Sequence, residues 1–360
     1  MGKKIVNNWP HSTLKTPRRR FINRMLFGTA GLFAGSVNPI SQQSLGNQVI
    51  KTGIPRPLLD KEYWPITGNP DLGEYNSPNQ QPVDFAVWQA ADGKWQLWSC
   101  IRGSKFPGTS FTTRFLYGWE GESLTSENWK PQGIKWVADP SVGETPGGIQ
   151  APYVFREDNV YYLFYGDWKR ICLAKSLDGK TFTRVPGGNG QPDLFSEEHS
   201  HLRHGMYDTS RARDPMVIKR GNTYYCYYTS HLEEPVNDGW GFCRASLNLK
   251  DWSESVIVSH TQPGKNSSPR YSDECPHVVY LPEYNLYYLF VTQMYGKSSQ
   301  TTVYASPNPM YFGIDDDSRK ICTLPISAPE IVYDNEQYYL FSLNPGLDGI
   351  SATMLRFVEE

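Results

Sequence analysis

The six cysteines of this 360-residue chain include no CxxC pair, and no Cys/His cluster has zinc spacing. That excludes a zinc ribbon, and a disulfide framework does not suit a chain with so much apolar sequence. Most of the cysteines lie inside apolar runs, as buried thiols acting as small hydrophobes do. An excess of one charge is missing too. The formal net charge is -2, which gives no electrostatic case for nucleic acid or an anionic membrane as partner. Long apolar runs are also lacking: the stretch Met25–Val37 is too short and Gly-rich to span a bilayer as a helix.

Aromatic residues, in contrast, make up 14% of the chain, with 11 Trp and 23 Tyr. Such residues favour strands and stacking surfaces. The 31 Gly and 27 Pro are spread throughout, which marks many turns rather than one disordered tract.

The amino terminus is different in kind. It has no acid before Asp60. Arg18-Arg19-Arg20-Phe21 leads into the mild apolar stretch, which ends in the small residues Ala34-Gly35-Ser36. This order reads as an export signal over residues 1–36, similar to the twin-arginine type. A disordered basic tail is the plainer alternative. The expectation is an exported, periplasmic or extracellular protein with no membrane partner once mature. Residues 37–56 read as an extended lead-in, and 57–360 as one domain.

Five segments of that domain share a plan: 83–98, 150–165, 213–228, 274–290 and 327–341. Each is a short apolar run, a polar turn and an aromatic-rich run. Aligning the second runs on Trp95, Tyr161, Tyr224, Tyr287 and Tyr338 gives steps of 66, 63, 63 and 51 residues. A period near 60 with alternating strands indicates a propeller. Further strand-turn-aromatic units follow in most repeats, which makes five blades of four strands. The fold class is therefore all-β, a five-bladed β-propeller. A two-sheet sandwich is the alternative, and the regular step argues against it. The last repeat lacks a strand, and an open sheet edge is a liability. Residues near Pro57–Thr67 should supply that outer strand and close the ring.

Three of the first runs carry an acid near their start: Asp84, Asp214 and Glu274. In a ring they converge on one mouth of the channel. Acids there are unfavourable unless paired or used. Two carboxyl groups flanking a glycosidic bond suffice for hydrolysis, and a third can tune the others. A local backbone bond for Asp84, and structural ion pairs for Asp214 and Glu274, are the plainer readings. Glu330 sits deeper in its strand and reads as structural. Arg213, His277 and Gln150 are candidates for binding sugar hydroxyls, although His277 suits an ordinary channel histidine equally well. Trp88, Trp168 and Trp240 are candidate stacking platforms. The His-rich segment 197–204 reads as a face loop without metal spacing.

Arg213-Asp214-Pro215 and Glu274-Cys275-Pro276 resemble the Arg-Asp-Pro and Glu-Cys-Pro motifs of family 32 glycoside hydrolases, the invertase-like enzymes. The wider pattern is similar to family 43, the arabinanases and β-xylosidases: Asp84 in blade one, Ala151-Pro152 in blade two, Asp214-Pro215 in blade three and a Glu-x-Pro in blade four. The resemblance covers roughly residues 57–360, and both families are five-bladed propellers. It implies that Asp84 is the nucleophile or general base, Asp214 the transition-state stabiliser and pKa modulator, and Glu274 the general acid. The sequence departs from family 32 at Pro82-Val83-Asp84-Phe85, and the chain ends with blade five where that family adds a β-sandwich. Both departures favour a compact, family-43-like propeller. The expected activity is hydrolysis of furanoside- or pentoside-containing oligo- or polysaccharides. A non-catalytic carbohydrate-binding propeller, or a transglycosylase or phosphorylase using Arg203, Arg211 and Arg213, are the alternatives. No organic cofactor and no metal-ligand set is implied; a structural cation in the channel is compatible with the residues.

Overall fold

A computed structural model describes residues 53–108, 113–168, 170–187, 190–195, 207–232, 239–260, 272–314 and 316–359. The proposed export segment, most of the lead-in and the His-rich segment 197–204 lie outside them, as do Arg203 and the side chain of Arg211.

The chain begins with β1 (Arg56–Leu59) and β2 (Trp64–Gly68). The first blade is β3 (Gln81–Gln89), β4 (Trp95–Arg102), β5 (Phe115–Gly121) and β6 (Lys130–Trp136). The second is β7 (Gln150–Glu157), β8 (Val160–Gly166), β9 (Ile171–Ser176) and β10 (Thr183–Arg184), with β11 (Asp193–Phe195) also on β9. The third is β12 (Tyr207–Arg220), β13 (Thr223–Leu232), β14 (Gly239–Ser246) and β15 (Val256–Ser259). The fourth is β16 (Glu274–Leu281), β17 (Leu286–Met294), β18 (Gln300–Ser306) and β19 (Lys320–Leu324). The last holds β20 (Glu330–Asp334), β21 (Gln337–Leu343) and β22 (Gly349–Val358). Each blade is antiparallel, and β3, β7, β12, β16 and β20 touch in a closed circle around the channel. The architecture is the expected five-bladed propeller.

Aromatic residues fill the wedges between blades, where the inner ends converge and the outer ends splay. Trp98, Trp119, Tyr161, Tyr165, Tyr227, Tyr228 and Tyr288 are wholly buried. Trp88 sits edge-on to Trp98 and Phe182, and its indole N–H donates to the Gly179 carbonyl 2.8 Å away in the next blade. Such rings bury large apolar areas and satisfy their polar atoms at the same time.

The ring closes through the amino-terminal strands. Both β1 and β2 pair antiparallel with β22, so the outer strand of the last blade comes from upstream and is broken at Asp60–Tyr63. The Thr353 hydroxyl donates to the Glu62 carbonyl at 2.8 Å, and the Tyr288 hydroxyl to that of Pro55 at 2.7 Å. Without these strands β22 becomes a long exposed edge. A chain beginning at Asn69 should therefore lose its cooperative thermal transition and aggregate, read by calorimetry and size exclusion. An unchanged melting temperature would remove ring closure as a source of stability.

Candidate active site

Each blade has one residue of left-handed backbone in its inner strand or just before it. Asp84, Ala151, Asp214, Cys275 and Ala328 all have positive φ, between 40° and 57°. Pairing registers shift at or beside four of them, between Val83 and Phe85, Gln150 and Tyr153, Arg213 and Met216, and Glu274 and His277. A proline follows in blades two to five, and proline cannot donate to a ladder. Left-handed backbone costs a residue with a side chain about 1 to 2 kcal/mol. Five such residues at one level therefore mark a constriction that the surrounding fold imposes. All five line a single depression at the channel.

Asp84 and Asp214 thus occupy equivalent positions, within long strands rather than in their first turn. The equivalent position in blade four is held by Cys275, and Glu274 is one residue earlier. The three acids nevertheless come together. The Cys275 thiol is 3.4 Å from Asp84 Oδ1, and the Cys275 backbone N–H donates to Asp214 Oδ2 at 3.2 Å. Arg213 spans the other two: its Nη2 donates to Glu274 Oε1 at 2.7 Å, and its Nε lies 3.6 Å from Asp214 Oδ2. The Ser272 hydroxyl also donates to Glu274 Oε1, at 3.2 Å. The carboxyl side chains differ in access: 25% exposed for Glu274, 13% for Asp84 and 5% for Asp214. Glu274 is thus the most accessible of the three from outside the mouth.

Electrostatics separate the acids further. Burial pushes the Asp214 carboxyl up to about 7; Arg213 opposes the shift, and Asp84 and Glu274 add to it. Burial disfavours the charge on Arg213, but Glu274 and Asp214 outweigh it and hold the guanidinium above its ordinary value. Burial, then Asp214 and Asp84, keep the Cys275 thiol protonated far above its usual range. Its sulfur lies 3.2 Å from the Tyr295 hydroxyl, itself raised by burial first and by Cys275 and the acids next.

At 10–16% identity with solved structures of the same shape, similarity carries the fold alone. A thermostable family-43 glycoside hydrolase aligns with a TM-score of 0.56 at 16% identity, over 79% of this chain and 92% of that one. The catalytic domain of the Coprinopsis cinerea GH62 α-L-arabinofuranosidase gives 0.57 at 13% identity, over 85% and 98%. A structure from the GH130 family of mannoside phosphorylases, which contains glycoside hydrolases targeting β-1,2 mannosidic linkages in Candida mannan, gives 0.56 at 13%, over 88% and 96%. The chain has the five-bladed fold of these proteins. No family model matches the sequence, and no curated protein is similar to it.

Around the acids, the candidates fare differently. Arg213 stands among the acids, paired with Glu274 and beside Asp214. Gln150 is 1% exposed, and its side chain is turned to Arg114, so it presents no donor to solvent. Trp168 is partly exposed, but one face of its ring is covered by the Arg114 guanidinium, 4.4 Å from the ring centre. Trp88 is not a stacking platform: it is 6% exposed and locked into the wedge between blades one and two. Trp240 is buried as well, stacked on His260 at 3.6 Å. His277 is 3% exposed and held 3.2 Å from Glu330 inside the channel, so it reaches no sugar at the mouth.

Arg114, Cys275 and Tyr295 are the site residues that the sequence reading did not place. Arg114 Nη1 lies 3.7 Å from Asp84 Oδ2 and donates to Gln150 Oε1 at 2.7 Å. It precedes β5, in a connection from β4 that is longer than its counterparts in the other blades, so spacing carries no signal for it. Cys275 was visible as the residue between Glu274 and Pro276. What hid its role was the local break in pairing register.

Proposed function

We propose that this protein is a glycoside hydrolase acting on furanoside or pentoside units of oligo- or polysaccharides. The observation that supports this reading is the gathering of Asp84, Asp214 and Glu274, from three blades, around one thiol and one guanidinium at the channel mouth. Glu274, the most accessible, protonates the leaving oxygen. Asp84, fixed between the Cys275 thiol and Arg114, attacks the anomeric carbon or activates water. Asp214 tunes both through their shared neighbours. The fold supports the reading because a family-43 glycoside hydrolase and a GH62 α-L-arabinofuranosidase are built on it. The basic amino-terminal segment supports export, so that the enzyme meets its polymer outside the cytoplasm. The chemistry requires no organic cofactor.

The test is a screen of purified protein against nitrophenyl α-L-arabinofuranoside, nitrophenyl β-D-xyloside, arabinan, xylan and fructan, with and without phosphate. Free sugar released without phosphate is the expected result, and NMR of the first-formed anomer then assigns retention or inversion. Products formed only with phosphate would make the protein a phosphorylase. Sugar binding without turnover would make it a carbohydrate-binding propeller.

A further inference from the structure

The two residues before Glu274 are tied to blade three. The Asp273 backbone N–H donates to the Gly239 carbonyl at 2.9 Å, and the Thr229 hydroxyl donates to the Asp273 carbonyl at 3.2 Å. The Gly239 backbone N–H donates to Ser272 Oγ at 2.8 Å. A serine hydroxyl has one proton, and here it points on to Glu274 Oε1, 3.2 Å away. Backbone N–H, hydroxyl and carboxyl thus follow one another in a chain of bonds. Ser272 is 7% exposed, so water competes little for its hydroxyl.

Two glycines of β14 make room for this approach. Gly239 and Gly241 lie on one face of the strand, since successive positions alternate. A Cβ on Gly239 would stand 2.1 Å from Ser272 Oγ, and one on Gly241 would stand 2.2 Å from Ser259 Oγ. The Ser259 hydroxyl donates in turn to Asp273 Oδ2 at 3.1 Å. Glycine weakens a strand interior. Two on one face, each beneath a serine hydroxyl, mark a close contact between β14 and the lead-in to β16 that the fold keeps at a cost.

Both described donors to Glu274 meet the same oxygen. Arg213 Nη2 gives to Oε1 at 2.7 Å and the Ser272 hydroxyl at 3.2 Å. A protonated carboxyl does not turn its O–H toward two donors, so the proton belongs on Oε2. Arg213 also lies 3.6 Å from Asp214, whereas the Ser272 proton serves Glu274 alone.

We infer that Ser272, held by Gly239, is a positioning residue for the general acid: it fixes the plane of the Glu274 carboxyl and aims the proton on Oε2 at the leaving oxygen. The inference rests on the glycosidase reading, in which Glu274 is the acid. No bond to the sugar is assigned to Ser272 itself. Its effect falls only on the step that needs the proton, so it grows as the leaving group becomes more basic.

The experiment compares the wild type with Ser272→Ala, Gly239→Ala and the double variant on pentosides with dinitrophenyl, nitrophenyl and alkyl leaving groups. Gly239→Ala keeps the serine but pushes its hydroxyl aside. On the alkyl glycosides each single variant should lose about 3- to 10-fold in kcat with KM little changed, the range for one hydrogen bond. On the dinitrophenyl glycosides both should stay near the wild type. The double variant should be no slower than the slower single one, because one interaction cannot be lost twice. Thermal melts establish that each variant is folded, and either single variant carries the test if the other does not fold. An equal loss on every leaving group would make Ser272 a structural tie between blades, and no loss on any would make its hydroxyl idle. Either result overturns the inference and leaves the glycosidase standing. A wild type that turns over none of these substrates overturns the glycosidase reading, and the inference with it.

Discussion

Glu274→Gln should slow turnover by about 10²- to 10⁴-fold while sugar binding persists, the range expected for loss of a general acid. Gln keeps the shape of the side chain, and its carbonyl can still accept from Arg213 Nη2 and the Ser272 hydroxyl. The fold at the mouth therefore has no reason to change. On the proposed mechanism, what disappears is the proton for the leaving oxygen. That predicts a dependence on leaving group that a structural role would not produce. With a dinitrophenyl leaving group, which departs without protonation, the variant should approach the wild type; with an alkyl or sugar leaving group it should be nearly dead. The measurement is kcat/KM across a series of aglycones, with calorimetric titration to establish binding. An equal loss on every aglycone would remove Glu274 from the acid's role and return it to a plain ion pair with Arg213. Replacement of Asp84 should instead depress all aglycones alike, since attack at the anomeric carbon is common to them.

Much of this architecture is legible in the sequence, because a propeller repeats its instructions. Each blade writes the same apolar run, polar turn and aromatic run. The last repeat, one strand short, pointed back to residues near Pro57–Thr67, where β1 and β2 are found. Asp84 and Asp214 were equally readable, as acids placed where a buried strand gains nothing from charge. The remainder was hidden by geometry that does not repeat in the alphabet. A residue with positive φ breaks the alternation of faces, so the one-residue offset between Glu274 and Cys275 cannot be resolved by counting. Arg114 reaches Asp84 from a connection longer than its counterparts in the other blades. Trp88 shows the opposite limit: its indole looks like a sugar platform in the sequence, but it serves as a wedge between blades. Composition tells how many aromatic rings there are, and only packing decides which of them meet the solvent.

Asp214→Asn should make the protein more stable relative to wild type as pH rises, and less active by on the order of 10²-fold. The folded chain holds the Asp214 proton up to about pH 7, against an ordinary value of 3.8. A carboxyl raised in this way contributes stability that is complete below the unfolded value and is lost as pH climbs through about 7. The wild type should thus weaken between about pH 4 and pH 8 by on the order of a few kcal/mol from this group alone. Asparagine cannot ionise, and its carbonyl still accepts from the Cys275 N–H, while Glu274 remains beside Arg213. The gap in melting temperature between variant and wild type should therefore open toward high pH, which calorimetry at pH 5 and pH 8 would read. Such a trade of stability for chemistry is what the proposed mechanism implies of a buried third acid: the charge is unwelcome to the fold, and in that mechanism its value lies in tuning Asp84 and Glu274. A variant destabilised by the same amount at every pH would instead make Asp214 a structural partner of Arg213, and the site would have to work with two acids.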